Sequence, residues 1–179
     1  PELKDTSMQA MVVDAIPARV ESLNFSVSSQ GAVSPRTQTT LVAEVSGQIV
    51  SVSDNFIAGG FFRKGEVLLQ IDPSDYETAL LSAQASLAAR KAQLADQKAR
   101  SEQAMKDWIN LGRKGEPSDL TLRKPHLAEA QAAVQAAEAE LQRARRNLER
   151  TRIKVPYDGL VRSKSVDIGQ FVSPGTPIG

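Results

Sequence analysis

A leucine-type position returns every seven residues through the middle of this chain. Leu80, Leu87, Leu94 and, after Ser101, Trp108 form one series; Leu120, Leu127, Val134, Leu141 and Leu148 form a second. A seven-residue repeat brings its members back to one stripe of a slightly supercoiled helix. The pattern therefore predicts two helices that meet along these positions as a seam. Ala130, Ala137 and Ala144 follow three residues behind members of the second series, where small side chains let two backbones approach.

The signals at the ends of each series agree. In "IDPSDYETAL", Asp72 can cap a helix with Pro73 at its first position and Asp75 in its first turn, where free amides favour a carboxylate. The first helix runs to about Leu111. "GRKGEPSD" then breaks it with Gly112, Gly115 and Pro117, and Ser118 or Asp119 can cap the second helix. Pro125 kinks or restarts that helix near its beginning, because proline is tolerated only in a first turn. Two matched helices joined by a short polar turn predict an antiparallel hairpin. Arms of about 35 residues give a rod of roughly 50 Å.

The flanks have a two-residue period instead. "ARVESLNFSVSSQGAV" sets Leu23, Phe25 and Val27 against Val20, Ser22, Asn24 and Ser26, and "TQTTLVAEVSGQIVSVSD" continues in the same manner, with Gly47 as a bend or bulge. Beyond the hairpin, Pro156 ends the helix and "RIKVPYDGLVRSKSVDIGQFVSPG" is strand-like, with a turn at Asp158-Gly159. Across these flanks one motif occurs twice. "GGFFRKGEVL" at Gly59 and "GQFVSPGTPI" at Gly169 align with Gly59 over Gly169, Phe62 over Val172 and Gly65 over Gly175. Gly47 and Gly159 also correspond, with spacings to the turn that differ by two residues. The glycines permit positive φ at the corners, and Phe62 and Val172 can enter a shared core.

Composition narrows the function. The 179 residues allow one ordinary domain or two small ones, and a net charge of +1 does not advertise a nucleic-acid partner. Arg143, Arg145 and Arg146 cluster, but Glu138, Glu140 and Glu149 surround them. Cysteine is absent, which removes disulfides, thiolate chemistry and cysteine-ligated metals. His126 is the single histidine, so a two-histidine metal site within one chain is impossible. Met8 and Met11 are the nearest thing to a soft-metal pair and stand in a segment with no clear period. Asp72 and Asp75 are better explained by helix capping than as catalytic carboxylates. No catalytic residue, cofactor or metal is expected. No window is apolar for long enough to span a bilayer. The second turn motif stops at Gly179, where the first leads into a strand, so the sequence reads as a fragment.

The order of half-motif, "IDPSDYETAL", heptad hairpin, "LERTRIKVPYDGLV" and second half-motif resembles the periplasmic adaptor subunits, or membrane fusion proteins, of tripartite efflux pumps of the resistance-nodulation-division type. The resemblance covers about Val33 to Gly179. It implies an α+β chain in which a lipoyl-like (biotinyl-lipoyl) β-sandwich is interrupted by a coiled-coil hairpin. The divisions are an arm and partial β-barrel strand at 1–35, half-motifs at 36–72 and 152–179, and the hairpin at 73–151, with Ala18 to Val33 as the barrel strand. It also implies a protein of the Gram-negative periplasm, anchored to the inner membrane. Such an adaptor forms a homo-oligomeric ring of three or six and links an inner-membrane transporter to an outer-membrane channel. Adaptors of ABC transporters, including type I secretion, are the alternative within the family; a cytosolic coiled-coil protein is the alternative outside it.

Adaptors of this kind often carry Arg, then Leu four residues on, then Ser seven later at the hairpin tip. Leu111 and Ser118 match, but Asp107 stands where the arginine would be, with Arg113 nearby. The resemblance makes Leu111, Ser118 and Arg113 candidate channel-docking residues. The residues alone equally allow Ser118 as a helix cap and Leu111 as the end of the seam. A lipoyl or biotinyl carrier shares the sandwich, yet it presents its modified lysine at the connection that residues 73–151 replace here, and no Asp-Lys-Ala or Met-Lys-Met occurs.

Overall fold

A computed structural model describes residues 10–179; Met8 and the rest of residues 1–9 lie outside the described part. The chain divides between Gln38 and Thr39 into two units. In the first, residues 10–38 are exposed and form no strand. The strand expected over Ala18 to Val33 is thus not formed: Leu23, Phe25 and Val27 do alternate, but among the described residues nothing pairs with them, and a strand exists only within a ladder.

The second unit holds six strands and two helices: β1 (Gly47–Val52), β2 (Phe61–Phe62), β3 (Val67–Ile71), α1 (Ser74–Asn110), α2 (Lys124–Arg150), β4 (Arg152–Lys154), β5 (Gly159–Leu160) and β6 (Phe171–Val172). The strands form a four-stranded sheet in the order β4-β3-β1-β6 and a two-stranded sheet of β2 and β5. Strand residues Ile49, Phe62, Leu69, Ile71 and Val172 share one core with Phe56 and Val161 from the adjoining turns. This is the interrupted lipoyl-like sandwich.

The repeated motif is an internal two-fold relation in which each half pairs with the other. The Gly59 amide donates to the Val161 carbonyl and the Val161 amide to the Gly60 carbonyl; in the same way Gly169 donates to Ile49 and Ile49 to Gln170. Gly65 donates to Val155 as Gly175 donates to Ala43. Phe62 pairs with Gly159 and Val172 with Gly47, so each inserted side chain lies opposite a glycine. The four turn glycines have φ of +83° (Gly59), +82° (Gly65), +86° (Gly169) and +90° (Gly175), the left-handed region open to glycine. Ser53 and Phe56 in the first half correspond to Ser165 and Val166 in the second, so the two-residue difference in spacing is Asp54-Asn55. The extra turn is used: the Asn55 side-chain Nδ2 donates to Glu66 Oε1 at 3.0 Å.

The hairpin rises from β3 and β4. Asp72 Oδ1 accepts from the Ser74 hydroxyl at 2.6 Å and from the Ser74 amide at 3.0 Å, which lowers the Asp72 pKa. The helix therefore begins at Ser74, one residue later than a Pro73 start. Along α1 the half-buried residues are Tyr76, Leu80, Ala83, Leu87, Leu94, Gln97, Ser101, Ala104 and Trp108, which follow the heptad spacing. In α2, Ala130, Val134, Ala137 and Leu141 are buried, with Leu127, Ala144 and Leu148 half-buried. Two helices alone cover one stripe each, so the other faces of α1 remain in solvent. Lys91 and Glu138 bridge the helices at 3.4 Å, and Arg100 pairs with Asp96 one turn away at 2.9 Å.

Candidate functional site at the hairpin tip

The tip spans residues 111–123. Gly112, at φ +61°, ends α1, and the Leu111 amide still donates to Asp107. Ser118 then caps a single turn: its hydroxyl accepts the Thr121 amide at 3.2 Å and lies 2.8 Å from the Thr121 hydroxyl. This turn does not run on into α2. Pro125 has no amide hydrogen to give the Thr121 carbonyl, and its ring would collide with that carbonyl in a continuous helix. The chain breaks at Arg123, with φ 55° and ψ 24°, and α2 starts at Lys124 with the proline in its first turn. The expected start at Ser118 or Asp119 is corrected accordingly, and so is the assignment of Leu120 to the seam. Leu120 lies in the isolated turn and is 77% exposed.

Polar contacts hold this turn to α1. Ser101 Oγ donates to the Leu122 carbonyl at 2.6 Å, and the Arg123 guanidinium donates to Gln97 Oε1 at 3.2 Å, while Arg123 Nε is buried without a partner. Lys124 Nζ lies 2.7 Å from Asp119 Oδ1. The hydrogen bond and charge of Asp119 raise the Lys124 pKa. His126 lines a shallow groove beside Arg90, Gln93, Gln97 and Glu129.

The three candidate docking residues differ in what they offer. Leu111 keeps the heptad spacing from Ala104 but is 68% exposed, so it does not close the seam by burial. Ser118 is exposed, but its hydroxyl is engaged with Thr121. Arg113 lies over the Trp108 ring, 5.2 Å from its centroid, a cation–π contact that draws the guanidinium back along the hairpin. Asp107, at the position of the absent arginine, accepts a hydrogen bond from Gln103 at 2.8 Å. Ile109 and Leu120 stand exposed with Leu111 in the same segment. The sequence signal for Ile109 was its place one residue past the seam position Trp108, where an apolar side chain has no partner helix to face.

A β-sandwich whose two-fold-related halves are separated by a two-helix insertion is specific enough to compare with known proteins. The sequence profile of the family described as "RND MFP, barrel-sandwich hybrid domain" matches residues 37–179. The chain belongs to this family. It is 35% identical over 170 residues to the multidrug resistance protein MdtA of Klebsiella pneumoniae, an alignment covering 93% of this chain and 40% of that protein. The MdtA of Escherichia coli K12 is 31% identical over 167 residues, with 93% and 39% covered. The chain therefore spans about two fifths of the length of these relatives. Among solved structures, MacA from Actinobacillus actinomycetemcomitans superposes with a TM-score of 0.67 at 29% identity, over 79% of this chain and 49% of that one. A MacA-MexA chimera carrying the Pseudomonas aeruginosa MexA α-hairpin superposes with a TM-score of 0.55 at 31% identity, over 78% and 45%. Both the repeat-based sandwich and the inserted hairpin are thus features that this membrane fusion protein shares with its relatives.

Proposed function

We propose that this chain is the sandwich and hairpin of a periplasmic adaptor that links an inner-membrane transporter of the resistance-nodulation-division type to an outer-membrane channel, with the hairpin tip as the docking element. The observation that carries the reading is a helical hairpin set on its sandwich without a flexible linker and ending in exposed Ile109, Leu111 and Leu120. Such a device works by holding two partners at a fixed separation, which asks for stiffness and an apolar tip rather than for a reaction. The relatives named for multidrug resistance support small-molecule export as the process served. In this reading several copies assemble as a ring of three or six in the periplasm of a Gram-negative bacterium, anchored to its inner membrane. Leu111 docks, while Arg113 and Ser118 shape the tip from within.

The test is a resistance assay in a host lacking its own adaptor, with the whole protein that carries this chain supplied in trans. Removing Leu80 to Leu148 and rejoining the β halves is expected to leave a folded sandwich and abolish resistance. Leu111→Asp is expected to do the same without altering thermal stability. Resistance that survives the deletion would overturn the reading, since the hairpin could not then be the channel-docking element.

A further inference from the structure

The hairpin is joined to the sandwich at two covalent crossings that lie side by side. β3 and β4 are paired neighbours, with Gln70 opposite Arg152, and only Asp72-Pro73 on one side and Thr151 on the other separate strand from helix. The Ile71 amide donates to the Thr151 carbonyl at 2.8 Å, which ties the crossings to each other. Two adjacent attachment points define a line, and a rigid body held on a line can still swing about it. A third attachment, off that line, is needed to fix the angle.

The third attachment is present, and one short segment supplies it to both helices. Tyr76, in the first turn of α1, donates its hydroxyl to the Ser46 carbonyl at 2.7 Å, and its ring packs against the sandwich core. Arg150, the last residue of α2, places Nε 2.7 Å from Glu44 Oε2. Ser46 and Glu44 lie two residues apart just before β1. That segment is itself held to the second half-motif, because the Ala43 carbonyl accepts the Gly175 amide. We propose that residues 44–46 form a clamp that sets the angle of the hairpin on the sandwich, with Glu44–Arg150 and Tyr76–Ser46 as its two arms. One arm is an ion pair in solvent and the other a single hydrogen bond beside the packed Tyr76 ring, so the clamp is releasable while the covalent crossings are not. A shift of residues 44–46 reaches both helices at once, so the segment leading into β1 can steer the hairpin. This goes beyond the adaptor reading and does not depend on what the tip binds.

The absence of cysteine makes the test direct, since two introduced cysteines are the only labelling sites. Spin labels at Arg162→Cys on the sandwich and Ala92→Cys on α1 report the angle by electron–electron distance measurement. A second pair, Ala92→Cys with Ala139→Cys, lies within the hairpin and reports label motion alone. The native chain is expected to give a sandwich-to-hairpin distribution as narrow as the within-hairpin control. Tyr76→Phe with Glu44→Met removes the hydroxyl of one arm and both the charge and the acceptor of the other, while keeping the ring and the side-chain length. The population outside the native peak is expected to rise about tenfold, the sum expected of one hydrogen bond and one exposed ion pair. The control pair and the thermal midpoint establish that this variant is folded. If it does not fold, the native chain at molar salt, where the Arg150 pair is screened, is expected to broaden part of the way. A native distribution already as broad as the double variant, a folded double variant as narrow as native, or no broadening in molar salt each overturns the clamp.

Discussion

If the sandwich is held by two equivalent pairings, adding one methyl group at either glycine opposite an inserted side chain should damage it, and by different amounts. A Cβ at Gly159 would lie 2.8 Å from Phe62 Cζ and 3.1 Å from Cε2, too close for carbon atoms, so the ring has to shift within the core. Overpacking of this kind costs about 1–3 kcal/mol. A Cβ at Gly47 would lie 2.6 Å from Ile71 Cγ2, and Ile71 is fully buried; the backbone φ of +150° is in addition one that only glycine adopts readily. Backbone strain adds about 1–3 kcal/mol, bringing Gly47→Ala to about 2–6 kcal/mol. Set against a total stability of about 5–15 kcal/mol, the first variant folds and the second is marginal. The assay is urea unfolding followed through exchange of the sandwich amides, since α1 and α2 supply most of the circular dichroism. The decisive arm is a cycle. Phe62→Leu removes the ring atoms that the added methyl group would strike, so the cost of Gly159→Ala should fall by at least about 0.5 kcal/mol in that background. Equal costs in the two backgrounds would refute the proposed contact, and a Gly47→Ala variant as stable as native would refute the glycine requirement.

Further outcomes follow from the turns and the joint. Glu66 accepts the Arg63 amide and a bond from Asn55, which lowers its pKa below the ordinary 4.5; the stability it contributes is present above 4.5 and lost as pH falls through the lower folded value. Acid unfolding of Glu66→Thr should lack this step and keep its turn, because Thr176 Oγ1 accepts the Ser173 amide at the equivalent position; Glu66→Ala should lack both. The pKa of Lys124 is raised by Asp119, so this contribution is complete below 10.5 and disappears as pH rises through the folded value; in Asp119→Asn the NMR titration of Lys124 should move down. Thr151 is buried and donates its hydroxyl to the Leu148 carbonyl at 2.7 Å, so Thr151→Val should cost about 1 kcal/mol in urea denaturation.

Much of this architecture was legible because it rests on periodicity and on glycine. The heptads mark the half-buried stripe from Leu80 to Trp108 directly, and the positive φ values at Gly59, Gly65, Gly169 and Gly175 are what a glycine repeat implies. The tip was less legible for a physical reason. Leu120 keeps the heptad spacing, yet Pro125 breaks the helix just beyond it, and spacing alone does not say on which side of a break a residue falls. Likewise the left-handed Arg123 has no sequence signal of its own, because it is imposed by the proline that follows. The N-terminal alternation carries a period but, among the described residues, no partner, and a ladder is a property of two segments.

The two-fold relation also explains how this sandwich accommodates an insertion of such length. The pairing of Leu69 with Ile153 beside the hairpin has its counterpart at the bonds between Leu41 and Gly179. Each half is therefore held by strands of the other, and the connection between β3 and β4 is not needed to bring them together. An insertion whose ends must lie where Ile71 and Thr151 already touch, and whose own helices pack antiparallel, closes its loop without stretching either strand. The same economy of attachment leaves the angle of the insertion undetermined by the pairing alone. That angle becomes a property of a few contacts at its base, which is why Tyr76 and Arg150, rather than the strands, are the residues whose loss should be felt at the tip.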